Sequence, residues 1–418
     1  MNNSIRFLLI PAVMLCLILT GSPALLGIRF TPVFVFMLMG WIAYQLLNRP
    51  VLDVKSGKAW TERKNRIAVI CSLVLSIAVV YWAGLIFRQQ PVDIEKSDII
   101  PLMRDVYFKR LWTGEFVYAI LNGYGYGEWT PNYLPMHWMP FIPAFLLQVD
   151  PRWIVVLVML IALNCYTLFV VKLETGLNDK IAKIIFPFTL IFYMMFKQPA
   201  AVAHTVEWMI AGFYILLGIG LTQNNRTLTA AGFSFTLMSR YMSVFYLPID
   251  IYTHWKEKNK KQVWIYLAML AFILFIYIIP FLLTDPTIFL NGAKAYDLAA
   301  FGEWKGQAWQ QPGERPYQLF QGYGLASWYY SWFPGNLNEK IHALKLSLLI
   351  SMGLMIIALL VSYRYYGKHP LFRVVACWLI LGVFTSFVLV PYNYLFWNFM
   401  CMMLVPLAKI PWIKSTPT

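Results

Sequence analysis

Apolar runs of about 20 residues follow one another along most of this chain, parted by short polar connectors. That repetition is the tightest constraint on what it can fold into. A run of this length in hydrocarbon must satisfy every backbone N–H and C=O from within, and a helix is the local structure that does so. The runs are too numerous to share one soluble core. Composition agrees: 60% of residues are hydrophobic and 13% are charged, against roughly half and a quarter in soluble domains. The sequence therefore predicts an all-α polytopic membrane protein. A disordered chain, a secreted disulfide scaffold and a nucleic-acid-binding domain are excluded at this step.

Candidate spans fall at 5–27, 31–47, 67–87, 133–149, 153–171, 181–196, 206–222, 227–250, 263–283, 341–362, 373–390 and 391–410, about twelve in all. The first has Arg6 ahead of an apolar run, like a signal peptide, but no small-residue cleavage site follows, so it is expected to remain as a helix. The formal net charge of +15 is unevenly spread. Arg49, Lys55, Lys58, Arg63, Lys64 and Arg66 crowd 48–66; Lys256, Lys258, Lys260 and Lys261 crowd 254–262; Arg364, Lys368 and Arg373 lie in 362–373. Eleven of the 19 acids sit instead in two long loops, 88–135 and 284–340. Basic connectors favour the cytoplasmic side, which places both termini there and both long loops outside. Counting crossings from a cytoplasmic N-terminus gives the same answer. The expected division is 1–66 (two helices and a basic loop), 67–283 (a seven-helix core including loop 88–135), 284–340 (an aromatic-rich loop) and 341–418 (C-terminal helices). Cys16, Cys71, Cys165, Cys377 and Cys401 all lie within apolar runs, as packed thiols do.

The first long loop is no bland connector. Ile99, Leu102, Met103, Val106 and Leu111 recur at helical spacing, with Asp98, Arg104, Asp105, Lys109 and Arg110 on the other face. An amphipathic helix on the membrane surface fits this pattern. A carboxylate there, beside cations and aromatics, can take a proton from a hydroxyl. Asp98 leads, with Asp105, Asp93 and Glu95 as neighbouring alternatives; equally, Ser97-Asp98 ahead of Pro101 can simply cap a helix.

The order Asp98, then Gly114 through Tyr118, then Tyr133-Leu134-Pro135-Met136-His137-Trp138-Met139-Pro140 resembles the first exoplasmic loop of GT-C glycosyltransferases that use polyprenyl-phosphate sugars. It is most similar to the bacterial mannosyltransferase-like branch. The resemblance covers roughly 67–283, and the C-terminal third by topology only. It implies a GT-C-like core with long exoplasmic loops after its first and seventh spans, a bacterial inner-membrane location, and Asp98 as general base. It also implies a polyprenyl-phosphate hexose, plausible as mannose, as donor and a glycan or glycolipid as acceptor, with membrane lipid around it and no nucleic acid.

Arg240 lies within span 227–250, where a cation costs at least about 2.5 kcal/mol and so needs a partner or a task. The family places a basic residue followed by a proline there, and Arg240 and Pro248 suit that pattern. A donor-phosphate clamp is one role, shared with His137 and Arg104; a structural pairing with Glu207 is the other. His204 and Glu207, three apart, suit either a proton or metal site or a satisfied interfacial pair. In the second loop the rings of Trp304, Trp309, Tyr317, Tyr323, Trp328, Tyr329, Tyr330 and Trp332 offer flat apolar faces with polar tips. Tyr133, Trp138, Glu207, Trp304 and Trp309 are accordingly the expected sugar- and acceptor-binding residues. No motif for a divalent metal occurs, and no cofactor is implied. Two other classes suit parts of the pattern: a lipid-linked sugar flippase or transporter using Arg240, Glu207 and His204 as polar sites, and a surface-polysaccharide polymerase or ligase.

Overall fold

The computed structural model describes residues 9–21, 26–27, 30–54, 62–94, 96–97, 99–121, 131, 133–306, 314–320 and 324–412. Within them the fold is all-helical. The helices of ten or more residues are α1 (Leu9–Gly21), α2 (Thr31–Leu47), α3 (Arg63–Gln89), α4 (Arg152–Val171), α5 (Leu177–Lys197), α6 (Glu207–Gln223), α7 (Arg226–Ser239), α8 (Leu247–Lys256), α9 (Lys260–Thr284), α10 (Ile288–Lys305), α11 (Leu337–Tyr366), α12 (Phe372–Phe387) and α13 (Phe396–Ala408). Four of them, α3, α4, α9 and α11, are long and apolar enough to cross a membrane. Their exposed faces carry large apolar side chains such as Ile77, Leu157, Phe272 and Leu354, as lipid-facing surfaces require.

Two expected spans are corrected. Residues 133–149 form three short pieces, Pro135–Trp138, Met139–Phe141 and Ile142–Leu146. At 1.5 Å per residue these pieces reach about 18 Å, short of a ~30 Å hydrocarbon core. Pro135, Pro140 and Pro143 each sit in the first turn of one of them, where the missing N–H costs no intrahelical bond. The expected single span 227–250 is also broken. Arg240 leaves the helix with extended backbone (φ −147°, ψ 136°), a 3-10 stretch follows over Tyr241–Tyr246, and Pro248 sits in the first turn of α8.

The expected amphipathic helix of the first loop is present as Ile100–Leu102, a π-turn over Met103–Tyr107, and Phe108–Thr113. A π-turn takes about one residue more per turn than an α-helix and so rotates everything after it. Ile99, Met103 and Val106 are buried as expected, but Leu111 turns outward and Tyr107 and Phe108 take the inner face.

The chain divides into two compact units. One contains 50–241, 261–292 and 400–418. Here α3 and α4 run antiparallel, tied by Ser72 to Asn164 (3.1 Å) and Thr167 to Ser72 (2.9 Å), with Phe87 edge-on to Trp153 near the other end. Helix α5 lies parallel to α3: Lys180 Nζ donates to Asn65 Oδ1 (2.8 Å) and Phe196 meets Trp82. Helix α6 runs with α4, since a Cβ on Gly212 would stand 3.3 Å from the Val158 carbonyl. Asn224, at φ +52°, then reverses the chain, and Asn225 caps α7 by accepting from Leu228 N (3.1 Å). In the resulting α6–α7 hairpin the backbones nearly touch. A Cβ on Gly220 would lie 2.7 Å from Thr229 N, and one on Gly232 would lie 2.8 Å from Leu217 Cα. Close approach at small residues is how helices gain dispersion contact in lipid, where the hydrophobic effect cannot drive them together. The same register sets Arg240 opposite the first turn of α6.

One end of this bundle gathers segments distant in sequence. Val54 bridges Leu173, Glu174 N donates to Asp53 O (2.9 Å), and Leu52 N donates to Lys409 O (2.7 Å). Asp179 holds the Lys183 ammonium and accepts from Thr175 Oγ1 and Trp412 N, both at 2.8 Å. The sequence expectation sets 172–180 on the side opposite to 48–66 and the C-terminal segment. They meet because 133–149 does not run the length of the bundle: Arg152, at the start of α4, still bonds Gln90 at the end of α3.

The other unit contains 1–49, 242–260 and 293–399. Helix α11 starts at a capping box: Asn336 Oδ1 accepts from Glu339 N (3.1 Å) and Glu339 Oε2 from Asn336 N (2.9 Å). The described part of the second loop packs onto it as a small apolar core of Ala300, Trp304, Leu319, Ala326, Ile341 and Leu344.

Candidate functional site

The described part of the first loop lies at the end of the α3–α7 bundle opposite the Asp179 cluster. There Glu207, in the first turn of α6, pairs with Arg240 at the C-cap of α7. A helix N-terminus favours the carboxylate. Glu207 is 1% exposed, whereas the Arg240 side chain is 25% exposed and so reaches the surface of the site. The short helix Pro135–Trp138 packs beside them and buries His137. The His137 Nδ1 atom meets no hydrogen-bond partner among the described residues. Burial first, and the Arg240 guanidinium second, hold this imidazole well below its ordinary range. It is therefore neutral at pH 7, with one nitrogen able to donate and the other to accept.

Aromatic side chains lock this arrangement. Trp138 Nε1 donates to Tyr118 Oη (3.0 Å), and Tyr118 Oη donates to the Tyr133 carbonyl (2.8 Å). Tyr107 and Phe281 stand edge-on to Trp138, and Tyr133 lies 5.4 Å from the His137 ring. Trp138 is fully enclosed; it supports the site and presents no face to a sugar, which corrects its expected binding role. Trp304 is corrected in the same way. Its ring is 0% exposed and its N–H donates to the Leu389 carbonyl (2.9 Å). A ring with one polar tip satisfies a bare carbonyl in a core as readily as it stacks on a sugar.

The expected acids fare differently. Asp98, Glu95 and Trp309 lie outside the described residues. Asp93 stands 3.8 Å from Lys96. Asp105 takes the Arg104 guanidinium through both oxygens (2.8 and 3.0 Å). Arg104 lines a groove of about 710 Å³ with Phe108, Trp112, Phe145 and Asp150, and that lining includes neither His137 nor Arg240. The structure thus brings together Arg240, Glu207, His137 and Tyr133, and leaves Arg104 apart. His204 does not pair with Glu207; it bonds Ser97 Oγ through Nδ1 at 2.8 Å, both side chains buried. Burial, and then Arg152, lower the His204 pKa from 6.5.

Sequence reasoning read Ser97 only as part of a helix cap and passed over Arg152. Arg152 is buried, pairs with Asp150, and donates to the carbonyls of Gln90 (2.6 Å) and Phe87 (3.3 Å) at the end of α3. The run Asp150-Pro151-Arg152 carried the signal, since acid-Pro-base ahead of an apolar run marks a helix start. No group of three or more His, Cys, Asp or Glu gathers to hold a metal among the described residues. No family model matches this chain, and neither curated proteins nor solved structures give a match.

Proposed function

We propose that the chain is an integral membrane glycosyltransferase that moves a hexose, in the mannose class, from a polyprenyl-phosphate donor to a glycan or glycolipid acceptor. The observation that carries this reading is the Arg240–Glu207–His137 cluster beneath the first loop: a partly exposed guanidinium, oriented by a buried carboxylate, beside a neutral buried imidazole. A guanidinium so held can bond two oxygens of a lipid phosphate. Tyr133, beside the His137 ring, adds a hydroxyl. In this reading the end with Asp53, Glu174 and Lys409 faces the cytoplasm, as do Arg49, Lys55, Lys58, Arg63 and Lys64. The site and both long loops face the exoplasm of a bacterial inner membrane.

The transfer is inverting. Asp98 takes the acceptor hydroxyl proton as that oxygen bonds to the anomeric carbon, and the bond from that carbon to the phosphate oxygen breaks. Arg240 and His137 stabilise the charge gathering on the departing phosphate. The test is a transfer assay in nanodiscs with radiolabelled polyprenyl-phosphate sugars and a total-lipid acceptor extract. Labelled product from wild type, lost in Asp98→Ala and in Arg240→Lys, is the expected result. Donor crossing the bilayer with no new glycosidic product overturns the proposal in favour of a flippase. Full activity in Asp98→Asn removes the base assignment alone.

A further inference from the structure

Within the unit that contains α8 and α11, a groove of about 620 Å³ runs between these two helices. Tyr252 and Lys256 of α8 face Ile357, Val361, Tyr363 and Arg364 of α11 across it. Tyr252 and Tyr363 meet edge-on at 5.4 Å, and the Lys256 ammonium stands 5.6 Å from the Tyr252 ring. Neighbouring charges are already spent: Arg373 pairs with Glu257 and approaches His254 Nδ1 (3.2 Å). Lys256 and Arg364 are exposed and make no ion pair among the described residues. Two cations therefore flank an apolar groove with no anion of the protein between them.

The groove opens onto a continuous apolar stripe. Ile350, Leu354, Ile357 and Val361 recur at spacings of four, three and four along α11, and each is more than half exposed. That spacing is one helix face. Helix α11 is long and apolar enough to span a membrane, and Arg364 lies in its last turn. A cation there sits at headgroup depth while the stripe faces the acyl chains.

We propose that this groove is a binding site for an anionic phospholipid, independent of the transfer site. The phosphodiester lies between Lys256 and Arg364, and one acyl chain follows the α11 stripe. A zwitterionic lipid brings its own cation and gains less from the pair; a free phosphate has nothing to place on the stripe. Basic grooves between spanning helices select anionic headgroups on these terms.

The experiment uses the full chain purified in a neutral detergent. Its thermal midpoint is measured with phosphatidylglycerol, with phosphatidylcholine and with inorganic phosphate, and retained lipid is read by native mass spectrometry. Phosphatidylglycerol is expected to raise the midpoint and to stay bound, and the other two are not. Lys256→Gln/Arg364→Gln is expected to lose that response and to retain about tenfold less phosphatidylglycerol, with its midpoint in phosphatidylcholine unchanged. Lys258→Gln/Lys260→Gln removes the same total charge from the connector that follows Lys256, outside the groove lining, and is expected to behave as wild type. An equal loss in both double variants means general surface attraction and overturns the site. So does an equal shift with inorganic phosphate.

Discussion

Two buried ion pairs sit at opposite ends of one helix bundle, and they differ in what surrounds them. Lys183 and Asp179 are sealed, at 0% and 2% exposure, and Asp179 also accepts from Thr175 and Trp412. Glu207 is equally buried, but its partner Arg240 is a quarter exposed, and the neighbouring His137 keeps a buried nitrogen with no partner among the described residues. The first pair closes a structure: it staples the C-terminal segment and the start of α5 to one point. Beside the second, the His137 Nδ1 keeps hydrogen-bonding capacity that the described residues do not use. A buried charge pair alone is weak ground for function; what its neighbours leave unsatisfied distinguishes the two.

The contrast can be broken most severely at the sealed end. Asp179→Ala strands the Lys183 charge in an interior and should cost about 3–5 kcal/mol, read as thermal unfolding in detergent. Replacing both partners with apolar residues should recover much of that. At the other end, Arg240→Lys keeps the charge but loses the two-pronged geometry. It should leave the fold intact and lower transfer at least ~10²-fold; a loss of stability without a loss of transfer would make the second pair structural as well. His137→Phe should spare the packing and reduce transfer by roughly tenfold, seen in kcat.

A smaller effect separates His204 from the site. Its folded pKa lies below 6.5, with burial as the first cause and Arg152 as the second. Above pH 6.5 folded and unfolded forms are both neutral there, so its stabilisation is complete. As pH falls from 6.5 through the folded pKa, the unfolded chain binds the proton first and stability declines. His204→Gln should flatten that decline. Ser97→Ala removes the bond that joins the loop to His204 and should cost about 1 kcal/mol.

Periodicity and charge made the helical class legible, along with the basic connectors and the first-loop helix. They failed where local geometry overrules hydropathy. Residues 133–149 are apolar enough to pass for a span, yet three prolines divide them, and 172–180 lies at the same end of the bundle as 52–54 rather than at the opposite one. The π-turn at Met103–Tyr107 has no hydropathy signature, so the inner face after it was misplaced. Arg240 and Glu207 were both conspicuous as charges within apolar runs, and their pairing was among the readings the sequence allowed. Trp138 and Trp304 were conspicuous for the wrong reason, because aromatic content does not say which rings are enclosed.

The hairpin of α6 and α7 works like a pair of calipers. Gly220 and Gly232 fix how near the two arms come, and Glu207 and Arg240 sit at the tips. A methyl group added at either glycine would wedge the arms and reset the gap at the jaws, without touching any group that meets a ligand. The calibration of the tips is therefore written in residues that have no side chain.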